Sequence, residues 1–309
     1  MIVASATFLA SLSSVAAELA PFRVSVLPIF DTANLYAALQ EGYFKEEGLD
    51  VTTQANQQGG VIGIPGLFAG AYDAAYTSTP SIFLAAQQGL ALRVIGGTAA
   101  IGSAPPDPAA LLARTSDHLG SGKDLAGKTI AVNARNNIQW LLARAWVKQT
   151  GGDPDRVTYR EIPVPQMVDA LKSRQTDVAF SIDPFLAAAR QDPDIAVLGW
   201  PLSVVLPNAQ IANYVVTADT ARKRPAIVEA FVRGMRKGAA WINTNAGKEP
   251  FFRLVNSYTR MDPSLISAMV MKPSQMEIDL RSLKRIEDLM AEQGLLTSEI
   301  DPASIAFRP

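Results

Sequence analysis

Polar side chains cluster directly after the predicted β-strands, in short loops that lead into helices. Small hydroxyls and amides are frequent there, and with the unpaired N–H groups of helix N-termini they can bind an anionic or polar headgroup. The candidate ligand-binding residues are Phe30, Asp31, Thr32, Asn34, Thr77, Ser78, Thr79, Asn133, Arg135, Asn136, Asn137, Ser181, Asp183 and Asn213. Their types and placement predict non-covalent capture of a small polar molecule.

Several of these candidates have a second interpretation as parts of the fold. Thr79, Asn136 and Asp183 are good helix N-caps, and capping alone would explain them. Asp31 could accept a hydrogen bond from an amine or a ring N–H, or it could cap the helix that follows. Arg135 could clamp a sulfonate or carboxylate through two hydrogen bonds, or it could remain solvated. The convergence of the four loops favours a binding role.

Aromatic side chains near these loops offer stacking surfaces for an aromatic ligand. The candidates for stacking are Phe30, Tyr76, Trp140 and Phe185. Trp140 lies inside a predicted helix, so core packing is the alternative role for it.

Residue types needed for common enzyme chemistry are missing. The chain has no cysteine and one histidine, His118, which stands in a polar stretch. A Ser-His-Asp triad would need that imidazole as its base. No metal-ligand spacing is present, and the glycine-rich residues 59–66 lack the Lys-Ser/Thr ending of a phosphate-binding loop. We expect no catalytic residue, no metal and no cofactor.

Two internal echoes indicate a repeated architecture. Leu67, Asp73-Ala74-Ala75-Tyr76 and Pro80 match Leu171, Asp177-Val178-Ala179-Phe180 and Pro184 at every shared spacing. A strand-like run at residues 23–27 matches residues 128–132 at nearly the same offset. The sequence therefore predicts two similar α/β lobes, and a cleft between lobes is a usual place for a small-molecule site.

The order of predicted elements divides the chain between these lobes. Strands alternate with helices, which is typical of parallel sheets with helices on both faces. The proline-rich residues 102–108 are predicted to be the first crossover, and the strand at 211–217 the return crossing. We expect lobe one at residues 21–104 and 220–309 and lobe two at residues 105–219. The helical C-terminal part should pack back on lobe one.

Composition limits the partners and the location. Hydrophobic residues make up 48% of the chain and charged residues 18%, and the net charge is −1. This balance provides no general attraction to nucleic acid or to an anionic membrane surface. Residues 1–17 are apolar and rich in alanine and serine, which predicts a signal peptide removed on export. We expect an exported, periplasmic monomer without membrane insertion after signal removal.

Longer motifs resemble one known family. Residues 33–51, Leu67 to Ala75, and in lobe two residues 124–133, 137–142 and 177–188 are similar to periplasmic substrate-binding proteins of ABC importers. Within these, the sulfonate, nitrate, taurine and thiamine-pyrimidine group is the nearest, and the aliphatic-sulfonate branch resembles lobe two best. The similarity extends over about residues 22–219.

This resemblance implies the type II periplasmic-binding fold, in which two α/β lobes joined by two crossovers close on a ligand by a hinge motion. It implies an extracytoplasmic solute-binding protein with a sulfonate-like, carboxylate or pyrimidine ligand and an inner-membrane permease as partner. The alternative is an enzyme of pyrimidine or menaquinone-type metabolism on the same scaffold. Known enzymes of that kind need a cysteine nucleophile or an active-site histidine, and the predicted loops contain neither.

Overall fold

Two mixed β-sheets form the framework of the computed structural model, which describes residues 18–56 and 60–308. Sheet one, in lobe one, has the strand order β2-β1-β3-β10-β4, and sheet two, in lobe two, has the order β7-β6-β8-β5-β9. The strands are β1 (Ala20–Val26), β2 (Leu49–Ala55), β3 (Ala74–Ser78), β4 (Leu92–Gly97), β5 (Ala109–Arg114), β6 (Thr129–Val132), β7 (Thr158–Glu161), β8 (Val178–Ile182), β9 (Ile195–Gly199) and β10 (Ala212–Thr217).

Helices connect the strands and form the C-terminal part. They are α1 (Ala33–Gln40), α2 (Tyr43–Glu46), α3 (Gly60–Phe68), α4 (Thr79–Gln87), α5 (Ile138–Gln149), α6 (Met167–Lys172), α7 (Phe185–Ala189), α8 (Pro201–Val205), α9 (Ala218–Lys223), α10 (Pro225–Asn245), α11 (Glu249–Thr259), α12 (Pro263–Ile266), α13 (Leu280–Glu292) and α14 (Pro302–Ile305). In the described part of the chain, no helix combines the length and apolar character that a membrane crossing requires.

The predicted repeat is confirmed in the topology of the two sheets. The order β2-β1-β3 in sheet one matches β7-β6-β8 in sheet two, and all of these pairings are parallel. The aspartates of the echo make the same contact in each lobe. Asp73 Oδ2 accepts a 2.8 Å hydrogen bond from the Arg23 N–H, and Asp177 Oδ2 accepts one of 2.8 Å from the Thr129 N–H. Asp73 thus ties the start of β3 to β1, and Asp177 ties the start of β8 to β6.

The sequence predicted parallel sheets, whereas each sheet combines parallel with antiparallel pairs. β10 runs antiparallel to β3 and β4, and β5 runs antiparallel to β8 and β9. These are the strands by which the chain enters each lobe from the other. Each crossover leaves one sheet at the carboxyl ends of its parallel strands and reaches the other sheet at the corresponding end. The strand that enters there must therefore run antiparallel to the parallel strands of its new sheet.

The boundary of lobe two also differs from the prediction. β10 pairs within sheet one, so residues 212–219 belong to lobe one and the return crossing lies before Ala212. β9 and α8, on either side of Trp200, were not predicted. The predicted signal peptide at residues 1–17 lies outside the described residues.

The core of lobe one brings the C-terminal helices onto the first sheet. Phe231 of α10 stacks on Phe22 of β1 at 4.7 Å between ring centroids, and on Phe44 of α2 at 5.3 Å. Helix α10 also lies close to α1, since a Cβ added to Gly238 would be 2.1 Å from the Asn34 carbonyl oxygen. Phe307, near the C-terminus, donates its N–H to the Val94 carbonyl of the edge strand β4 at 2.8 Å.

Candidate functional site

A cavity lies between the two sheets, at the carboxyl ends of their parallel strands. The empty space within it is about 970 Å³, including space open to solvent. In open α/β sheets this edge is where following helices and loops leave room for a ligand. Both lobes contribute to the walls, and so do the two crossing segments.

The walls are mainly apolar, with a small number of polar groups. Apolar side chains come from every wall, and Leu27, Ile29, Ile101, Ile138, Phe180 and Ile211 are examples. The polar side chains that line the cavity are Asp31, Tyr76, Ser78, Ser81, Asn133, Asn137, Gln139, Asp183 and Lys272. Such a lining suits a ligand with a flat or apolar body and a few hydrogen-bonding groups.

Asp31 and Tyr76 form the polar pair on the lobe-one wall. Asp31 lies in the 3-10 turn Phe30–Thr32 that follows β1, and Tyr76 lies on β3. The Tyr76 hydroxyl donates a hydrogen bond of 2.9 Å to Asp31 Oδ2. Burial raises the pKa of Asp31 to about 6, although hydrogen bonds from Thr98, Tyr76 and the Ala99 N–H oppose that shift. The pair can accept a ligand N–H when Asp31 is ionised, or share a proton with the ligand when it is not.

Three amide side chains form a braced wall in lobe two. Asn137 caps α5 by accepting the Trp140 N–H at 3.2 Å and donates from Nδ2 to Asn133 Oδ1 at 2.5 Å. Gln139 accepts the Asn133 N–H at 2.7 Å and donates to the Phe180 carbonyl at 3.1 Å. These bonds fix the orientation of each amide before a ligand arrives, which lowers the entropy cost of binding.

The Asp183 carboxylate is committed to the protein backbone. Its Oδ1 accepts the Ala187 N–H at 3.1 Å and its Oδ2 accepts the Val270 N–H at 2.8 Å. Burial raises the pKa of Asp183 to about 7, while these two hydrogen bonds and the charge of Arg190 act against the shift. Asp183 is not the N-cap of α7, because Pro184 holds that position, but its carboxylate binds an N–H of the first turn, and the second contact ties lobe two to the segment after α12.

Eight of the fourteen predicted site residues lie outside the cavity lining: Thr32, Asn34, Thr77, Thr79, Arg135, Asn136, Ser181 and Asn213. Side chains alternate across a strand. Tyr76 and Ser78 of β3 face the cavity, so Thr77 between them is directed away and is fully buried. Ser181 is likewise buried between Phe180 and Ile182 of β8.

The other predicted residues outside the lining have structural roles or are exposed. Thr32 donates its hydroxyl to the Leu27 carbonyl at 2.8 Å, and Asn34 accepts from the Tyr214 hydroxyl at 3.3 Å. Asn213 donates to the Thr79 hydroxyl at 2.9 Å, and both residues are buried.

Arg135 and Asn136 lie exposed at the rim of lobe two. The Arg135 N–H donates to Glu161 Oε1 at 2.7 Å. Asn136 does not cap α5, because that helix begins two residues later with Asn137 as its cap.

Sequence reasoning missed Ser81, Gln139 and Lys272. Ser81 and Gln139 lie in the first turns of α4 and α5, just after the predicted loops. Extending the candidate set to the first turn of each following helix would have included them. Lys272 comes from the segment after α12, where no motif of the sequence pointed to the cavity. Among the predicted stacking residues, Phe30 and Tyr76 line the cavity, whereas Trp140 is buried against Tyr159 with ring centroids 5.9 Å apart.

No group of histidine, cysteine or carboxylate side chains that could hold a metal ion occurs among residues 18–56 and 60–308. His118 is exposed after a short 3-10 turn, at φ 51°, and is not part of the cavity lining. The polar groups of the cavity are thus suited to hydrogen bonding and to charge interactions.

Two solved structures of similar fold are binding proteins. The alkanesulfonate-binding protein SsuA from Xanthomonas axonopodis pv. citri, bound to MOPS, aligns with a TM-score of 0.80 and 16% identity over 95% of this chain and 100% of that one. The periplasmic nitrate-binding protein NrtA from Synechocystis PCC 6803 aligns with a TM-score of 0.78 and 13% identity, over 93% of this chain and 85% of that one. These likenesses confirm the two-lobed periplasmic-binding fold.

Sequence comparison adds a relative and a family. The chain is 24% identical over 296 residues to the riboflavin-binding protein RibY of Chloroflexus aurantiacus, an alignment covering 90% of this chain and 82% of the relative. The family model described as NMT1/THI5 like matches residues 29–247, which is more than half of the chain. This match confirms the resemblance found in the motifs, and the chain belongs to the NMT1/THI5-like family.

Proposed function

We propose that this protein is the extracytoplasmic solute-binding component of an ABC importer, which captures a small organic solute between its lobes. The observation that carries the proposal is the cavity itself, walled by both sheets at the carboxyl ends of their parallel strands. A ligand placed there touches both lobes, so its binding energy favours the closed arrangement over the open one. A permease can then distinguish the loaded protein from the empty one.

The lining supports a ligand with a polar aromatic or otherwise flat apolar body. Phe30 and Phe180 offer ring surfaces, and the Asp31–Tyr76 pair and the amides of lobe two offer hydrogen bonds. The names of the similar proteins, which bind an alkanesulfonate, nitrate or riboflavin, agree with capture of small polar molecules. The ligand classes to be tested are sulfonates, carboxylates, pyrimidines and flavins.

The partners follow from this role. We propose export to the periplasm, delivery to an inner-membrane permease and action as a monomer, without chemical change of the solute. The charge balance supports this proposal, because it gives no reason for nucleic-acid or membrane-surface partners.

A thermal-shift panel of the four ligand classes on the purified chain tests the proposal. A ligand present at about a hundred times its Kd should stabilise the folded state by about 2.7 kcal/mol, and small-angle scattering should show a smaller radius of gyration. Mass spectrometry of the recovered ligand should show it unchanged. A panel that gives neither a shift nor a change in scattering, or a ligand returned as product, would contradict the proposed role.

A further inference from the structure

One segment outside both sheets passes beside the cavity and is anchored at its two ends by different lobes. This segment, residues 270–276, is called the strap below. At its start the Val270 N–H donates to Asp183 Oδ2 at 2.8 Å, and Asp183 directly follows β8 of lobe two. Near its end Ser274 exchanges two hydrogen bonds with Asn243 of α10, of 2.7 and 2.9 Å. The strap therefore has a defined path between the lobes.

Lys272 lies between these two anchors and lines the cavity. Its ammonium group lies against the first crossover, because a Cβ added to Gly102 would be 2.5 Å from Lys272 Nζ. The anchors and the crossover together fix where this cation reaches the cavity wall. Among the described residues that line the cavity, Lys272 is the one basic residue.

The carboxylates in and beside the cavity accept hydrogen bonds from other donors, although Asp107 Oδ1 has no hydrogen-bond partner among the described residues. Asp183 accepts two backbone N–H groups, Asp31 accepts from Tyr76, and Asp107 accepts the N–H and hydroxyl of Ser203, each at 2.8 Å. Burial raises the pKa of Asp107, and the hydrogen bonds from Ser203 and the nearby charge of Lys272 act against that shift. Within the described residues, however, no carboxylate lies within ion-pair distance of Lys272.

A cation that faces a largely apolar cavity without a direct partner is poised for an anionic group. Withdrawing it further from water without a partner would cost free energy, and a ligand anion would offset that cost with a charge-assisted hydrogen bond. The point charge of a lysine can accept carboxylate, sulfonate or phosphate, since it does not impose the planar geometry of arginine.

We propose that Lys272 is the residue that recognises an anionic group on the ligand, so that the natural ligand is an aromatic or apolar molecule with one carboxylate, sulfonate or phosphate. This inference rests on the proposed function and deepens it. It assigns anion recognition to the strap, not to Arg135 at the exposed rim.

The test uses matched pairs of probes that differ in one charge. Benzoate with benzamide, benzenesulfonate with benzenesulfonamide, and riboflavin 5′-phosphate with riboflavin are titrated into the full chain by calorimetry. The same titrations are run on Lys272→Gln, Lys272→Arg and Gly102→Ala, with Lys45→Gln as the control, because Lys45 is exposed and outside the cavity lining.

We expect the charged member of a binding pair to bind the wild-type chain more tightly. Lys272→Gln should weaken the charged member about tenfold and leave the neutral one unchanged, since a charge-assisted contact is lost. Lys272→Arg should keep most of the preference. Gly102→Ala should reduce the preference for the charged member, because the added Cβ displaces the flexible ammonium group of Lys272. The melting temperature of this variant should be unchanged. Lys45→Gln should have no effect.

Two results would overturn the inference while the proposed function stands. One is equal affinity of the charged and neutral members for the wild-type chain. The other is an equal loss of affinity for the charged and the neutral member in Lys272→Gln, which would mean that the lysine only maintains the structure of the strap. If neither member of any pair binds the wild-type chain, the proposed function fails and the inference fails with it.

Discussion

Tyr76 of β3 and Asp31 of the turn after β1 are joined by a hydrogen bond of 2.9 Å from the tyrosine hydroxyl to Oδ2 of the carboxyl group. The pair lies at the lobe-one wall of the cavity. It also links binding to protonation, because the pKa of Asp31 is raised by burial to about 6.

Removing the Tyr76 hydroxyl should weaken binding and raise the pKa of Asp31 further. In Tyr76→Phe the carboxyl group loses a donor that lowers its pKa, so it is protonated over a wider pH range. For a ligand that donates an N–H to Asp31, we expect affinity to fall about tenfold at pH 6.5 and less at pH 8. Calorimetry across this pH range measures the effect.

Tyr72→Phe is the matched control, because Tyr72 lies on the loop before β3 and is not part of the cavity lining. A Tyr76→Phe affinity profile that runs parallel to the wild-type profile at every pH would show that the pair does not set the protonation of the site.

Replacing Asp31 with asparagine should stabilise the empty protein at neutral pH. The folded-state pKa of about 6 lies above the ordinary value of 3.8, so the folded chain holds a proton that the unfolded chain has lost between those values. The free energy of unfolding therefore falls as the pH rises through this window. Asp31→Asn removes this pH-dependent destabilisation, which is about 3 kcal/mol at pH 7.5 and small at pH 4.

Melting curves at pH 4, 5, 6 and 7.5 check this difference between variant and wild type. Asp50→Asn, at an exposed position on β2, controls for the loss of one surface charge. The buried Asp183, with a pKa of about 7, contributes in the same direction and stays unchanged in both proteins. A variant that is less stable than the wild type at pH 7.5 would contradict the burial argument.

The alternation of side chains in β3 and β8 gives a prediction about which hydroxyls meet the ligand. Ser78 lines the cavity, whereas Ser181 is fully buried on the opposite side of its sheet and its hydroxyl has no hydrogen-bond partner among the described residues. Ser78→Ala should lower ligand affinity about threefold to tenfold. Ser181→Ala should leave affinity unchanged and should not destabilise the fold, because no hydrogen bond is lost.

Affinities from calorimetry and melting temperatures of the two serine variants separate these effects. The reverse pattern, in which Ser181→Ala weakens binding and Ser78→Ala does not, would contradict the assignment. It would mean that the alternate residues of β3 and β8, which include Thr77 and Ser181, face the cavity.

The sequence predicted the framework well because its signals are local. The helix at Ala33–Gln40 follows from its apolar spacing, and the strands of both repeats follow from short β-branched runs. That the parallel strands of the two sheets share one order follows from the repeat. The antiparallel entries β5 and β10 could not be predicted in the same way, because strand direction depends on where the chain crosses in space.

The site was predicted less completely, for two physical reasons. The loops were identified, but neighbouring residues of a strand point to opposite faces of the sheet. Ser78 therefore lines the cavity, whereas Thr77 is buried on the other face. Lys272 reaches the cavity from a segment far along the chain that has no regular structure. Its position depends on tertiary anchors at Asp183 and Asn243, which leave no periodic signal in the sequence.

The repeated aspartates give a last prediction, about stability. Asp73 binds the Arg23 N–H and also pairs with the Arg224 side chain at 2.7 Å, and Asp177 binds the Thr129 N–H and lies 3.6 Å from Arg114. Asp73 is the more buried of the two, with a side-chain exposure of 11% against 32%. Replacing either with alanine leaves a strand N–H without its acceptor, which costs about 1–3 kcal/mol.

We therefore expect Asp73→Ala to destabilise the protein more than Asp177→Ala, since it also leaves Arg224 without its partner. Ligand affinity should be unchanged in both, because these carboxylates do not line the cavity. Chemical denaturation of the empty protein, together with calorimetry on the folded variants, measures both quantities. Loss of affinity without loss of stability would show that the echo was retained for binding, and would contradict a role in holding the strands together.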